Sequence, residues 1–116
     1  MPRYVILRHE LPPGNARASH YDVMFDTGET LRTWAIELPP DSTVEQPAEP
    51  LPDHRRDYLA YEGPVSGNRG AVTRWDEGEY ETTADDDAFI AKVQGRRLLG
   101  TIQISPAGRY AYAAKV

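Results

Sequence analysis

The chain carries three histidines, and two of them stand in patterns that could hold an ion. His20-Tyr21-Asp22 falls in a run of strand-forming residues. Strand side chains alternate faces, so His20 and Asp22 point one way and Tyr21 the other. Their Cα atoms would stand about 6–7 Å apart at the usual strand rise, near enough to share one cation. The same spacing also suits a solvated pair, or two side chains hydrogen-bonded to each other. His9 closes an earlier apolar run, and it becomes a third ligand if the two strands are neighbours. Three protein ligands with open positions is the pattern of catalytic rather than structural metals. His54 and Tyr58 lie in Pro52-Asp53-His54-Arg55-Arg56-Asp57-Tyr58. If Asp53 caps a helical turn, residues four apart share a face and these two point together. The alternative is a surface loop with one buried tyrosine. Asp85-Asp86-Asp87 reads as a solvated turn, because contiguous carboxylates repel unless a metal holds them. None of the glycines forms a phosphate-cradling motif.

The elements that must position these residues are strands. Arg3–Arg8, His20–Asp26 and Thr30–Glu37 are expected first, the last two joined by a turn at Thr27-Gly28-Glu29. Tyr58–Gly63, Ala71–Trp75, Ala88–Val93, Leu98–Ser105 and Arg109–Lys115 follow, punctuated by glycine and proline. Leu38–Pro52 holds five of the ten prolines and reads as a long irregular loop. Trp34, Tyr61 and Trp75 are expected in the core, since each lies in an apolar strand pattern. No window keeps a helical period. The expectation is an all-β fold: one domain over residues 1–116, a small closed or nearly closed, mostly antiparallel barrel. About six to eight strands and at most short helical turns are expected.

Composition narrows the function. The chain has no cysteine, which removes disulfides, thiolate zinc sites and cysteine nucleophiles together. Its N-terminal apolar run is too short for a signal peptide or a membrane span, so a cytoplasmic protein without membrane contact is expected. Thirteen Lys+Arg against eighteen Asp+Glu give a charge of −5. A protein that grips long nucleic acid by its phosphates is usually basic. Any nucleic-acid contact is expected to be local and weak, at an end or a single phosphate.

The order RYVILRHE, SHYDVMFD, TLRTWAIE, PDHRRDYLAYEGPV, VTRWDEGEYE and KVQGRRLLGTIQI resembles the 3′-phosphoesterase family, found as a module of bacterial DNA ligase D and as free-standing proteins. The resemblance runs nearly end to end. It implies a small barrel that uses Mn²⁺, or another divalent cation, to remove a 3′-terminal ribonucleoside and then the 3′-phosphate. It implies His9, His20 and Asp22 as metal ligands, His54 beside the scissile phosphate, and Tyr58 as its polar partner. A ligase or polymerase partner is also implied. Three positions depart from the family pattern: Met24 and Leu38 stand where an arginine and a lysine are usual, and Gln46 aligns with a further arginine. Arg55 and Arg56 are the candidate replacements for these phosphate contacts. Two other readings follow: a barrel that keeps the fold as a non-catalytic binding or scaffold module, and a cupin-like iron site with the same ligand types. The cupin order places His-x-Asp before the lone histidine, and here His9 comes first.

Overall fold

RYVILR shows no alternation because both faces of its strand are buried. In the computed structural model, which describes residues 2–83 and 87–116, Tyr4 and Ile6 enter one apolar cluster, and Val5 and Leu7 enter another on the opposite side. Continuous apolar runs are the mark of a strand covered on both faces.

Ten strands form in chain order: β1 (Arg3–Glu10), β2 (His20–Asp26), β3 (Leu31–Ile36), β4 (Gln46–Pro47), β5 (Glu49–His54), β6 (Gly63–Pro64), β7 (Ala71–Thr83), β8 (Phe89–Gly95), β9 (Leu99–Ile104) and β10 (Arg109–Ala114). They make one sheet in the order β4-β10-β9-β8-β7-β1-β2-β3-β5, with β6 added beside β7, and every pair is antiparallel. The sheet curls into a nearly closed barrel around Tyr4, Phe25, Trp34, Tyr80, Ile102 and Tyr110. One seam is not hydrogen-bonded edge to edge. The chain itself bridges it, because β4 pairs with β10, β5 pairs with β3, and only Ala48 lies between them.

The expected all-β barrel is therefore present, with corrections. Two two-residue strands raise the count to ten; eight strands have six residues or more. The expected irregular loop ends early, since from Gln46 onward, nearly half of it, the chain forms β4 and β5. Pro50 and Pro52 are tolerated there because β5 is an edge, where a missing N–H costs no ladder bond. The expected strand at Tyr58–Gly63 is a short 3₁₀ helix, Arg56–Leu59, followed by an irregular stretch. Asp53 does not cap it; Arg55 holds that position without a side-chain hydrogen bond, and Asp53 accepts from Thr30 Oγ1 at 2.8 Å. Trp34 and Trp75 pack on the core as expected, but Tyr61 is 38% exposed. Of the acidic run, Asp85 and Asp86 lie outside the described residues. No helix among the described residues is long and apolar enough to cross a membrane.

Trp75-Asp76-Glu77-Gly78 shows how the barrel is locked. The register between β1 and β7 shifts at Trp75, so that Leu7 faces Arg74 and Ile6 faces Asp76. The Asp76 carboxylate, 2% exposed, accepts hydrogen bonds from Tyr4 Oη (2.5 Å), Arg97 N (2.8 Å) and Leu98 N (3.1 Å). It ties β1 and β7 to the turn after β8. Gly95 faces Asp76 and the Tyr4 hydroxyl so closely that no side chain would fit there.

Candidate functional site

His9 and His20 are paired directly across β1 and β2, and Asp22 lies opposite Leu7 two residues along. The alternation of β2 sends Tyr21, Val23 and Phe25 toward the barrel core, and His20, Asp22, Met24 and Asp26 to the other face. His9, His20 and Asp22 each offer one ligand atom, and these atoms lie within 4.8 Å of one another. The structure thus brings the expected triad together.

The hydrogen bonds around the triad fix its protonation. His20 Nδ1 sits 2.8 Å from Ala18 O, and His9 Nε2 sits 2.7 Å from Arg69 O. A carbonyl only accepts, so those nitrogens carry the protons. The other two nitrogens face one carboxylate: His20 Nε2 lies 3.0 Å from Asp22 Oδ1, and His9 Nδ1 lies 3.4 Å from Asp22 Oδ2. In the neutral rings these are lone pairs against lone pairs, which requires a proton or a cation between them. Asp22 Oδ1 is buried and makes no hydrogen bond, despite its closeness to His20. Burial pushes the Asp22 carboxyl up, but the two imidazoles, when protonated on the nitrogens that face it, outweigh burial and hold the group at about 2. The Asp22 carboxylate raises the His9 pKa against the effect of burial. Backbone carbonyls that orient metal-ligand histidines are the usual support of such a site. The donor set, two imidazole nitrogens and a carboxylate with an orphaned oxygen, fits a divalent cation.

His54 and Tyr58 come together, with ring centroids 5.6 Å apart in an edge-on arrangement. They do so by a route other than the expected helical turn: His54 ends β5 and Tyr58 lies in the 3₁₀ helix. His54 Nδ1 donates to Pro52 O at 2.9 Å, which leaves Nε2 free to exchange a proton. Tyr61 continues the aromatic series against Tyr58, its hydroxyl bonded to Pro64 O.

The two groups stand apart on the sheet. Asp22 is opposite Ala35 on β3, whereas His54 is opposite Leu31, four residues along. That is about 13 Å at the usual rise. Between them lies an apolar floor: Met24 is fully buried with Val5, Leu31 and Leu59. Arg56 does not reach the triad. It forms a two-pronged pair with Asp26, Nε to Oδ1 at 3.0 Å and Nη2 to Oδ2 at 2.9 Å. Arg55 is exposed. Gln46 is buried and spends its amide on the backbone: Oε1 accepts from Glu37 N and Leu38 N, and Nε2 donates to Leu38 O. Leu38 is exposed beside a cleft of about 670 Å³ that reaches His20. Sequence reasoning missed Arg17 in this cleft, although a cation within the spacer between two candidate ligands was a readable signal.

The model of the DNA ligase D 3′-phosphoesterase domain matches residues 13–111 of this sequence. The chain belongs to that family. Its curated relatives include the multifunctional non-homologous end joining protein LigD of Mycobacterium bovis, 33% identical over 107 residues, covering 84% of this chain and 13% of the relative. The LigD protein of Mycobacterium tuberculosis matches over the same extent. That of Pseudomonas aeruginosa is 35% identical over 89 residues, or 72% of this chain and 10% of the relative. The chain thus spans about an eighth or less of the length of these proteins. His20, Asp22, His54 and Tyr58 fall within the stretch matched to the 3′-phosphoesterase domain. His9 precedes it, so its place in the triad rests on geometry alone.

Proposed function

We propose that this 3′-phosphoesterase domain hydrolyses phosphoesters at nucleic-acid 3′ ends, releasing a terminal ribonucleoside and then the 3′-phosphate, with Mn²⁺ or a similar divalent cation as cofactor. One observation carries the reading: two imidazole lone pairs and an orphaned, buried carboxylate oxygen converge where nothing else satisfies them. His9 Nδ1, His20 Nε2 and Asp22 would hold the ion. A bound divalent cation supplies Lewis-acid polarisation of a phosphoryl oxygen and lowers the pKa of coordinated water. Asp22 and the two carbonyl-tethered rings contribute position, since each ring is locked in the tautomer that presents a lone pair. His54 would hand a proton from Nε2 to the leaving oxygen, with Tyr58 fixing the ring by its edge. Arg55, exposed at the N-terminus of the 3₁₀ helix, and Arg56, held by Asp26, offer guanidinium groups to the flanking backbone phosphates. The net charge of −5 fits contact at an end rather than along a duplex. A ligase or polymerase, in the same or another chain, is the partner this chemistry would serve.

The apolar floor between the triad and His54 favours a second reading, a metal-binding module without turnover. Turnover with Mn²⁺ on duplexes ending in a 3′-phosphate or one 3′-ribonucleotide separates the two. The catalytic reading expects release of phosphate and nucleoside, abolished by Asp22→Ala and reduced about 100-fold or more in His54→Ala, the usual share of a general acid. A folded, Mn²⁺-binding chain that leaves both ends intact establishes the binding module instead.

A further inference from the structure

The cleft beside the triad has mixed chemistry. His20 stands in its wall beside Ala35, the cross-strand neighbour of Asp22. Glu37, Glu45 and Glu49 line it, and Arg17 is the one cation lining it among the described residues. Glu45 is paired with Arg109 at 3.0 Å. Arg17 faces Glu49 as a fork, Nη2 to Oε1 at 2.7 Å and Nη1 to Oε2 at 3.4 Å. Both side chains are well exposed, 40% and 61%, and such pairs contribute little to stability, so the contact is exchangeable. The loop that carries Arg17 is pinned by Asn15 Oδ1 accepting from the Arg17 amide at 3.0 Å. A guanidinium in the cleft that His20 walls, held by a lone exposed carboxylate, is matched to a planar or tetrahedral oxyanion.

We propose that Arg17 is the phosphate-binding residue of this cleft, and that Glu49 occupies its fork until a terminal phosphate monoester displaces it. The inference rests on the phosphoesterase reading above and adds to it a residue that selects the end to be processed. Without Arg17, a phosphate entering the cleft would meet Glu37 and Glu49 with no opposing charge on the wall. With Arg17 turned from Glu49 to the phosphate, the anion is held between the guanidinium and the triad. A dianionic 3′-phosphate gains most from this exchange, and a 3′-hydroxyl end gains nothing.

The test is binding, not turnover. The full chain with Mn²⁺, carrying His54→Ala in every sample so that the strand is not hydrolysed, is titrated by calorimetry against a short single strand ending in a 3′-phosphate and against the same strand ending in a 3′-hydroxyl, while Mn²⁺ affinity is read separately by electron paramagnetic resonance. The expected result for Arg17→Ala is about tenfold weaker binding of the 3′-phosphate strand, the loss of one charge-assisted contact, with 3′-hydroxyl and Mn²⁺ binding unchanged. Glu49→Gln should tighten the 3′-phosphate strand severalfold by freeing the fork, and the double variant should match Arg17→Ala. Equal binding of the 3′-phosphate strand by Arg17→Ala and the parent His54→Ala chain overturns the proposal. So does a Glu49→Gln variant that weakens as Arg17→Ala does, since the pair would then only brace the cleft wall. A parent chain that binds Mn²⁺ but does not prefer the 3′-phosphate strand removes the phosphoesterase reading along with this one.

Discussion

Asp22 and Asp76 are buried to the same extent, each 2% exposed, on adjacent parts of one sheet, yet they do opposite things. Asp76 accepts three hydrogen bonds from a tyrosine and two backbone amides, so its charge is fully compensated by the protein. Asp22 faces two imidazoles whose protons are committed elsewhere, and one of its oxygens has no hydrogen bond. Burial alone does not tell a structural carboxylate from a ligand. What separates them is the sum of donors: a satisfied carboxylate holds the fold together, and an unsatisfied one is the group that a cation would satisfy.

The largest effect that tests this contrast is on Asp76. Asp76→Ala leaves the Arg97 and Leu98 amides and the Tyr4 hydroxyl unpaired in the interior, a loss of about 3–5 kcal/mol if two or three buried groups lose their partner. Chemical denaturation should show that loss, with Mn²⁺ affinity intact in whatever fraction remains folded. A stable Asp76→Ala protein would break the comparison. The next effect is on Asp22. Asp22→Asn should lower Mn²⁺ affinity about 100-fold or more, as loss of a ligand does, while changing the stability of the metal-free protein far less than Asp76→Ala. A large stability loss without loss of Mn²⁺ binding would make Asp22 a second structural carboxylate.

A third and smaller effect sets both against a partly exposed pair. Burial pushes the Asp26 carboxyl up, but the Arg56 guanidinium outweighs it and leaves the group below its ordinary value. A carboxyl depressed in the folded state stabilises above its unfolded pKa of about 4 and loses that contribution as pH falls through the folded value. Arg56→Ala should therefore lower stability by about 1 kcal/mol or less at neutral pH and by nothing once the pH lies below the folded value, in parallel acid titrations of the two proteins. A difference that persists at low pH would mean Arg56 acts through packing.

The parts of the molecule legible in the sequence were those governed by local alternation. His20–Asp26 was bounded as observed, because Asp22, Met24 and Asp26 on one side and Tyr21, Val23 and Phe25 on the other leave only one period. The triad followed from it once β1 lay alongside. β4 and β5 were hidden because proline argues against a strand, and only the tertiary fact that β5 is an edge makes Pro50 and Pro52 acceptable. Tyr61 looked like a core residue, but its ring lies on the surface against Tyr58. Asp76 stood out only as part of a family pattern. Its role depends on amides twenty-one and twenty-two residues away in sequence, which no local pattern reveals. The distance between His54 and the triad is likewise a matter of register, and register is set by pairing rather than composition.

The single residue that bridges the seam stands between residues that wall the cleft. Gln46, Pro47 and Glu49, on either side of Ala48, are also wall residues of the cleft beside His20. The Ala48 amide is fastened to Gly108 O at 2.8 Å, so the ring can part there only by breaking that bond and drawing β4 off β10. Such a parting would widen the cleft, so the one seam of the ring is held shut by the same short stretch that walls the cleft.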